Sequence, residues 1–398
     1  MKELSRIASA IAPSKTLAIN NLYKQLKAEG KDALGFGVGE PDFNTPEHIK
    51  AAGIRAIEEN QTRYTAASGT QELKEAICQR MQEDFGLTYT PAEIAVASGA
   101  KHSLYIALQC LLNPGDEVIL PAPYWVSYIE MIRMCGAVPV VINTTHEEDF
   151  KVTPEKLRAA VTGRTKAIIL NNPSNPTGMI YSREELQALC DICVEKDLYI
   201  VADEIYYCLV YDHKPFTSVA SLGDEVRART VLVNGVSKAY AMTGWRIGYS
   251  AAPAHITKII SNYVGHSTAA PSTISQAAAA EAFRGSQESV YQMREAFEQR
   301  RNYMVERMNA IAHVSCLKPE GAFYVMMNLQ EIFGHTIRGH KIETSEDFAS
   351  AFVQEEMVAT VPGSAFGADQ YIRWSYATDM DTIRKAMDRL ERFVADMK

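Results

Sequence analysis

The chain lacks the features that would send it to a membrane, out of a reducing compartment or onto nucleic acid. No apolar run approaches membrane-spanning length. The stretch Met1–Thr16 has neither a clean apolar core nor a small-residue cleavage site, so no signal peptide is expected. A net charge of −8 and a pI near 5.7 argue against a nucleic-acid or anionic-membrane surface. Cysteines are few, odd in number at seven, and scattered, which excludes a disulfide framework and fits a reducing, cytoplasmic compartment. Cys190 and Cys193 form a lone C-x-x-C, with no second pair and no His-x-His spacing beside them, so no metal site is expected. Both fall on the apolar face of a helical segment with Leu186 and Leu189, where core packing is the expected role. There is no internal repeat and no low-complexity linker.

What is present is a chain of 398 residues, enough for two or three domains. From Thr45-Pro46 onward, helix and strand signals alternate. Proline is placed at the first position of a helix running through Glu59, and a second helix, from Thr70 to Phe85, is ended by Gly86. Strand Ile94–Ala97, helix Lys101–Leu112, strand Glu117–Leu120, a helix from Tyr124 to Cys135, and strands Val138–Ile142 and Ala167–Leu170 follow. Ser182 and Glu185 form a capping box. Leu198–Ala202 and Val231–Val233 are unbroken apolar strands, as in a sheet covered on both faces. This predicts an α/β domain with a mostly parallel sheet. After about residue 270 the pattern changes. Helical residues run from Ile274 to about Ala312 with a break near Gly285. Then come strand Ala322–Asn328, helix Ser345–Glu356, strands near Val361 and Ile372, and a last helix from Asp379 to Met397. The expected division is a large domain over 46–285 and a smaller α+β domain built from 1–45 and 286–398.

Chemistry is concentrated at the ends of the predicted strands. Val231–Val233 leads into Asn234, Gly235, Ser237 and then Lys238, with Arg246 beyond. A lysine at the end of a buried strand loses solvation, which lowers its pKa and makes a nucleophilic amine able to form a Schiff base. Alone, such a lysine reads as an ordinary surface residue. Asn171 to Gly178 follows a strand and is either a plain Asn-Pro turn or part of a ligand site at the sheet's carboxyl edge. Asp203 ends another strand, where it could cap a helix, and Tyr206 follows it. Ser98-Gly99-Ala100-Lys101 joins strand to helix in a turn able to cradle a phosphate. Arg373 lies inside an apolar strand, costly if it points inward without an anion and unremarked if it faces solvent.

Taken together, these segments resemble the fold-type I, pyridoxal-phosphate-dependent aminotransferases of class I, and most of all the bacterial aspartate aminotransferase subgroup. The resemblance runs from Pro13 to Phe393 and rests on GEPDFNTPEHI, the Tyr64 segment TRYTAASGTQELKEAI, PYWVSY, NPSNPTG, DEIY, SKAYAMTGWRIGY, GAFY and RWSYA. It implies a seven-stranded, mostly parallel sheet between helices. It also implies that Lys238 binds pyridoxal 5′-phosphate covalently and moves a proton, and that Asp203 holds the pyridine nitrogen. Tyr206 and Asn175 would bond the ring oxygen, and Trp125 would stack on the ring. Gly99, Ala100, Ser237 and Arg246 would hold the phosphate, with Tyr64 reaching the phosphate of a second subunit in a homodimer. Arg373, Gly39 and Asn175 would take the substrate α-carboxylate, and Lys101 the distal carboxylate of an acidic substrate.

Two positions depart from the pattern. Many relatives carry serine at Gly235, so one phosphate contact is expected to be missing. Relatives that accept prephenate tend to carry a basic residue where this chain has Ala12, which counts against prephenate here. The expected reaction is transfer of an amino group from aspartate to 2-oxoglutarate. The alternatives are an aromatic, alanine or kynurenine-type aminotransferase, or a carbon–sulfur lyase on the same scaffold. A non-catalytic regulatory module is disfavoured because no basic helix-turn-helix precedes Pro13.

Overall fold

The computed structural model describes residues 2–12 and 15–398. Pro13, where the resemblance begins, lies outside the described residues. The larger sheet has seven strands, ordered Ile94–Ala97, Gly248–Ala251, Thr230–Gly235, Tyr199–Asp203, Thr165–Asn171, Glu117–Ala122 and Val138–Asn143. Gly248–Ala251 runs antiparallel to both of its neighbours, and the other strands are parallel to one another. Strand 230–235 is buried throughout and strand 199–203 at every residue but Tyr199, as their apolar stretches require. Helices cover both faces. Leu104, Leu108, Val201 and Val231 share one core, and Leu186, Leu189, Ile168 and Ile200 another. Cys190 and Cys193 are fully buried in the second.

A smaller antiparallel sheet is ordered Val361–Pro362, Tyr371–Ser375, Tyr324–Asn328, Ser315–Cys316. Helices Glu288–Ala310, Ser345–Glu356 and Met380–Ala395 pack on it around Trp374, Phe297, Phe348, Phe352 and Phe393. The segment near the amino terminus joins this body: Leu34–Gly35 pairs in parallel with Val358–Ala359, and Phe36 lies 5.0 Å from the Trp374 ring.

Local chemistry explains where the elements differ from expectation. Pro46 is the N-cap of helix Glu47–Glu58, one position before the first helical residue. The helix expected from Tyr124 begins at Ser127; before it, the Tyr124 N–H is bonded to the Phe366 carbonyl at 3.0 Å. The strand expected from Ala322 begins at Tyr324, since Ala322 has φ 57° and gives its N–H to Leu209. Helix Pro154–Ala160 was not anticipated, although Thr153 caps it and Pro154 opens it. The antiparallel strand 248–251 and helices Arg6–Ser9, Lys15–Ala28 and Ala254–Ser267 were likewise not foreseen.

The antiparallel strand brings its first residue to the edge where the parallel strands end. Gly248 sits between Gly235 and Ala97 in register, and a Cβ on it would overlap the backbone of Gly99 and Ala100. Only glycine lets that strand lie under the turn. The variant Gly248→Ala is expected to lose about 1–3 kcal/mol of stability through overpacking. An unchanged urea midpoint in that variant would show that the close approach has no role.

Candidate active site

A cavity of about 450 Å³ opens at the carboxyl edge of the large sheet, against the smaller one. Open α/β sheets bind ligands at this edge. Each wall residue comes from just past a strand end: Ala100 and Lys101, Trp125 and Tyr128, Asn171 and Asn175, Asp203 and Tyr206, Ser237 and Lys238. Arg373 and Tyr324 come from the smaller sheet, and Gly37 to Glu40 from the amino-terminal segment.

Lys238 is half-buried, and its ammonium donates to the Gly39 carbonyl at 2.5 Å. Burial pulls it down to about 8, aided by Arg246 and Arg373 and opposed by Glu40 and Asp203. Asp203 is buried. Tyr128 donates to its Oδ2 at 2.6 Å and the Ile205 N–H to its Oδ1 at 3.2 Å. Burial lifts the carboxyl to about 6 in spite of both bonds and of Lys238. Its neighbour Glu204 does not line this cavity. It accepts from the Val219 N–H at 2.8 Å and from Ser218 at 3.1 Å, and burial lifts it to about 8.

Two arginines are buried among the described residues, and their surroundings differ. Arg301 holds Asp212 with both ends of its fork, at 2.8 and 2.9 Å, and keeps that carboxyl down at about 2. Arg373 has no carboxylate partner among the described residues. It donates to the Asn175 side-chain oxygen at 3.0 Å and to the Gly37 carbonyl at 2.7 Å, while its Nε is buried with no partner. The rings of Tyr324 and Phe366 lie 4.4 and 4.8 Å from it. A desolvated guanidinium served by neutral acceptors alone is matched to an anion from outside the chain. Asn175 is fixed in turn by its N–H bond to Asn171 at 2.7 Å. Tyr206 meets the Tyr324 hydroxyl at 3.0 Å.

At the other end, Gly99 (φ 89°) starts helix Ala100–Leu111. The first N–H groups of a helix have no helical acceptor and favour an anion. Arg246 packs where a Gly99 side chain would go and donates to the Ser98 carbonyl at 3.1 Å, and Ser237 lines the same end. Trp125 stands edge-on to Tyr128, and the Lys101 ammonium lies 4.9 Å from its ring. Lys101 has no acidic partner among the described residues. This set fits a phosphorylated pyridine aldehyde. It offers an amine with lowered pKa, a buried carboxylate for a ring nitrogen, and a glycine turn with an arginine for a phosphate.

Twelve of the thirteen residues singled out in the sequence therefore gather at or beside this cavity. Tyr64 does not: it is 98% exposed in a separate loop. Gly235 does not line the cavity either, and a Cβ there would press on the Ile247 carbonyl and the Gly248 backbone. Ala12 lies at a neighbouring groove with Lys101 and Tyr124. The sequence reading gave no role to Tyr128 or Tyr324, although both sit inside quoted motifs, PYWVSY and GAFY. Nor did it pick out Glu40, which accepts from Thr243.

The lowered pKa of Lys238 has a consequence for stability. Below pH 8 the ammonium is charged in both folded and unfolded chains, and burying it costs stability. Above pH 10.5, the ordinary value, it is neutral in both and the cost is gone. In the cofactor-free protein, Lys238→Met should therefore raise stability most below pH 8, with the gain fading as pH rises through that window. Paired urea melts at several pH values check this, and a gain that does not vary with pH would contradict it.

Comparison with known proteins bears on the same residues. The family model for aminotransferases of class I and II matches residues 31–390. An aspartate aminotransferase of Geobacillus stearothermophilus is 49% identical over 394 residues, covering 99% of each chain. An aspartate/prephenate aminotransferase of Cereibacter sphaeroides is 46% identical and covers 100% of both. The crystal structure of the aspartate aminotransferase from Rhizobium meliloti superposes with a TM-score of 0.97 at 40% identity, again over 100% of each chain. With relatives this alike from end to end, the chain belongs to the class I and II aminotransferases, and it is a pyridoxal-phosphate-dependent enzyme of that family.

Proposed function

We propose that the enzyme moves the amino group of an L-amino acid, aspartate before others, onto 2-oxoglutarate in two half-reactions at one site. The observation that carries this reading is the buried, carboxylate-free guanidinium of Arg373 in one cavity with Lys238 and Asp203. Arg373 takes the α-carboxylate as a two-point fork, with Asn175 and Gly39 beside it. That fixes the α-carbon near Lys238, whose amine binds the cofactor and then carries the α-proton. Asp203 would hold the ring nitrogen in its protonated form, Tyr206 and Asn175 would bond the ring oxygen, and Trp125 would cover the ring. Gly99, Ala100, Ser237 and Arg246 hold the phosphate. When bound, pyridoxal phosphate supplies an electron-withdrawing ring that spreads the charge left at the α-carbon.

Lys101 supports the acidic substrate. Burial and Arg246 lower its pKa, and it stands at the cavity wall on Trp125 without an acidic partner among the described residues. An apolar side chain would leave that charge unanswered, whereas a distal carboxylate answers it. The names of the relatives above favour aspartate over the aromatic, alanine, kynurenine and lyase readings.

The enzyme further reads as a homodimer with shared sites. Tyr64 supports this: an almost fully exposed tyrosine, away from the cavity of its own chain, suits a contact with a partner. The unpaired state of all seven cysteines suits the cytoplasm. The domain division at 46–285 against 1–45 with 286–398 follows the two sheets and the break at Gly285.

Removing one partner of a desolvated charge pair costs roughly 2–5 kcal/mol. Arg373→Ala should therefore depress kcat/KM for every amino donor by orders of magnitude. Lys101→Ala should depress it for aspartate and glutamate while sparing phenylalanine and alanine. A donor panel with 2-oxoglutarate reads both. Equal losses for aspartate and phenylalanine in Lys101→Ala would remove the assignment of that lysine.

Sharing of sites has its own check. Mixed dimers of Tyr64→Ala and Lys238→Ala chains should regain activity that neither parent has, because one of their two sites is then intact. No recovery, or an active monomer in sedimentation, would defeat the shared-site reading.

A further inference from the structure

Tyr324 touches both ends of the chemistry. Its ring lies 4.4 Å from the Arg373 guanidinium, and its hydroxyl lies 3.0 Å from that of Tyr206. The two tyrosine rings meet edge to face at 5.8 Å. Gly39 closes on the same hydroxyl, since a Cβ at Gly39 would come within 2.5 Å of it. The carbonyl of that glycine is the acceptor of Lys238. Tyr324 is fully buried, in register opposite Ser375 of the Arg373 strand, so it is held by the smaller sheet while its hydroxyl meets Tyr206 beside the larger one.

A phenol has one proton to give and lone pairs to receive. Of the two hydroxyls, that of Tyr324 belongs to the ring facing a cation. A cation on the ring face draws charge from the phenol and makes it the better donor. Tyr324 then donates and Tyr206 accepts. A hydroxyl that accepts on its oxygen is polarised to donate more strongly from its hydrogen. The Tyr206 proton is thereby directed into the cavity that both tyrosines line.

We propose that Tyr324 is a positioning residue that couples the α-carboxylate site to Tyr206: its ring carries the Arg373 guanidinium, and its hydroxyl donates to Tyr206 and orients the Tyr206 proton. When an anion binds Arg373, the guanidinium draws less on the Tyr324 ring, and the donation to Tyr206 weakens. This rests on the assignments of Arg373 and Tyr206 made above.

Tyr324→Phe keeps the ring under Arg373 and deletes only the hydroxyl. In the holoenzyme, the pH midpoint of the cofactor's visible absorbance should rise, in the same direction as in Tyr206→Phe but by less. The loss of one neutral hydrogen bond corresponds to roughly a threefold to tenfold fall in kcat. KM for the amino donor should hold near its wild-type value. Adding Tyr324→Phe to Tyr206→Phe should move the midpoint no further. Succinate, a dicarboxylate with no amino group, should shift the midpoint of the wild type and shift that of Tyr324→Phe less.

A Tyr324→Phe enzyme that melts lower but keeps its midpoint would overturn the inference, as would shifts that add in the double variant. Silence in Tyr324→Phe while Tyr206→Phe moves the midpoint removes this inference alone. Silence in both removes the assignment of Tyr206, and this inference with it.

Discussion

The structure turns on keeping three ionisable groups, Lys238, Asp203 and Arg373, in one partly desolvated cavity without letting them neutralise one another by direct contact. Their hydrogen bonds go elsewhere: Lys238 to the Gly39 carbonyl, Asp203 to Tyr128 and Ile205, Arg373 to Asn175 and Gly37. Each charge is thus oriented by neutral partners. A direct ion pair would satisfy the charges at the expense of the ligand, as Arg301 and Asp212 satisfy each other. The pKa values follow from the same arrangement. Burial lowers the lysine to about 8, near the pH at which an amine can both take and return a proton, and raises the aspartate to about 6.

Such an arrangement needs support from far away in the chain. Arg373 and Gly37 come from opposite ends of the sequence, and the Asn175 that joins them in one cluster comes from a loop of the large sheet. The smaller sheet offers the arginine, with Trp374 beside it anchored among Phe36 and Phe352. Its backbone is pinned between Met326 and Val361. On the other side, the antiparallel strand at Gly248 allows Arg246 to reach back over the turn at Gly99. The parallel sheet supplies five chain ends at one edge. Closing the site takes the irregular segments that the sheet itself does not dictate.

This separates what was legible in the sequence from what was not. Unbroken apolar strands, the capping box at Ser182 and the Gly86 stop are local signals, and the structure places them as read. Strand 248–251 escaped notice because GYSA is short and carries a small and a polar residue in place of an apolar run. Helix 127–134 was read too long by three residues at its start, where the Tyr124 N–H is bonded to Phe366, more than two hundred residues away, a contact no local signal announces. Lys238, Asp203 and Arg373 each had an ordinary reading alone, and became legible because each sits in or just past an apolar strand and inside one of the quoted motifs. Tyr128 and Tyr324 were not, because a tyrosine in an apolar run is ordinary. Only the partner of its hydroxyl distinguishes it, and that partner is 75 residues away for Tyr128 and 118 for Tyr324.

The two cations proposed to meet substrate differ in a way that would divide their work. Arg373 is buried, planar and held at two points, so its geometry is set before any ligand arrives and suits the carboxylate that every amino acid shares. Lys101 is exposed along part of its side chain and partly desolvated at the cavity wall, on the first turn of a helix, with a ring beneath its ammonium and a flexible stem. A partly exposed ammonium gives less binding energy to a carboxylate, yet it gives up less when a substrate offers none. On the proposed assignments, a rigid, desolvated site would serve what is common to all substrates, and a more open, adjustable one what varies. In the first half-reaction the amino donor brings one distal group and in the second the oxo acid brings another of different length.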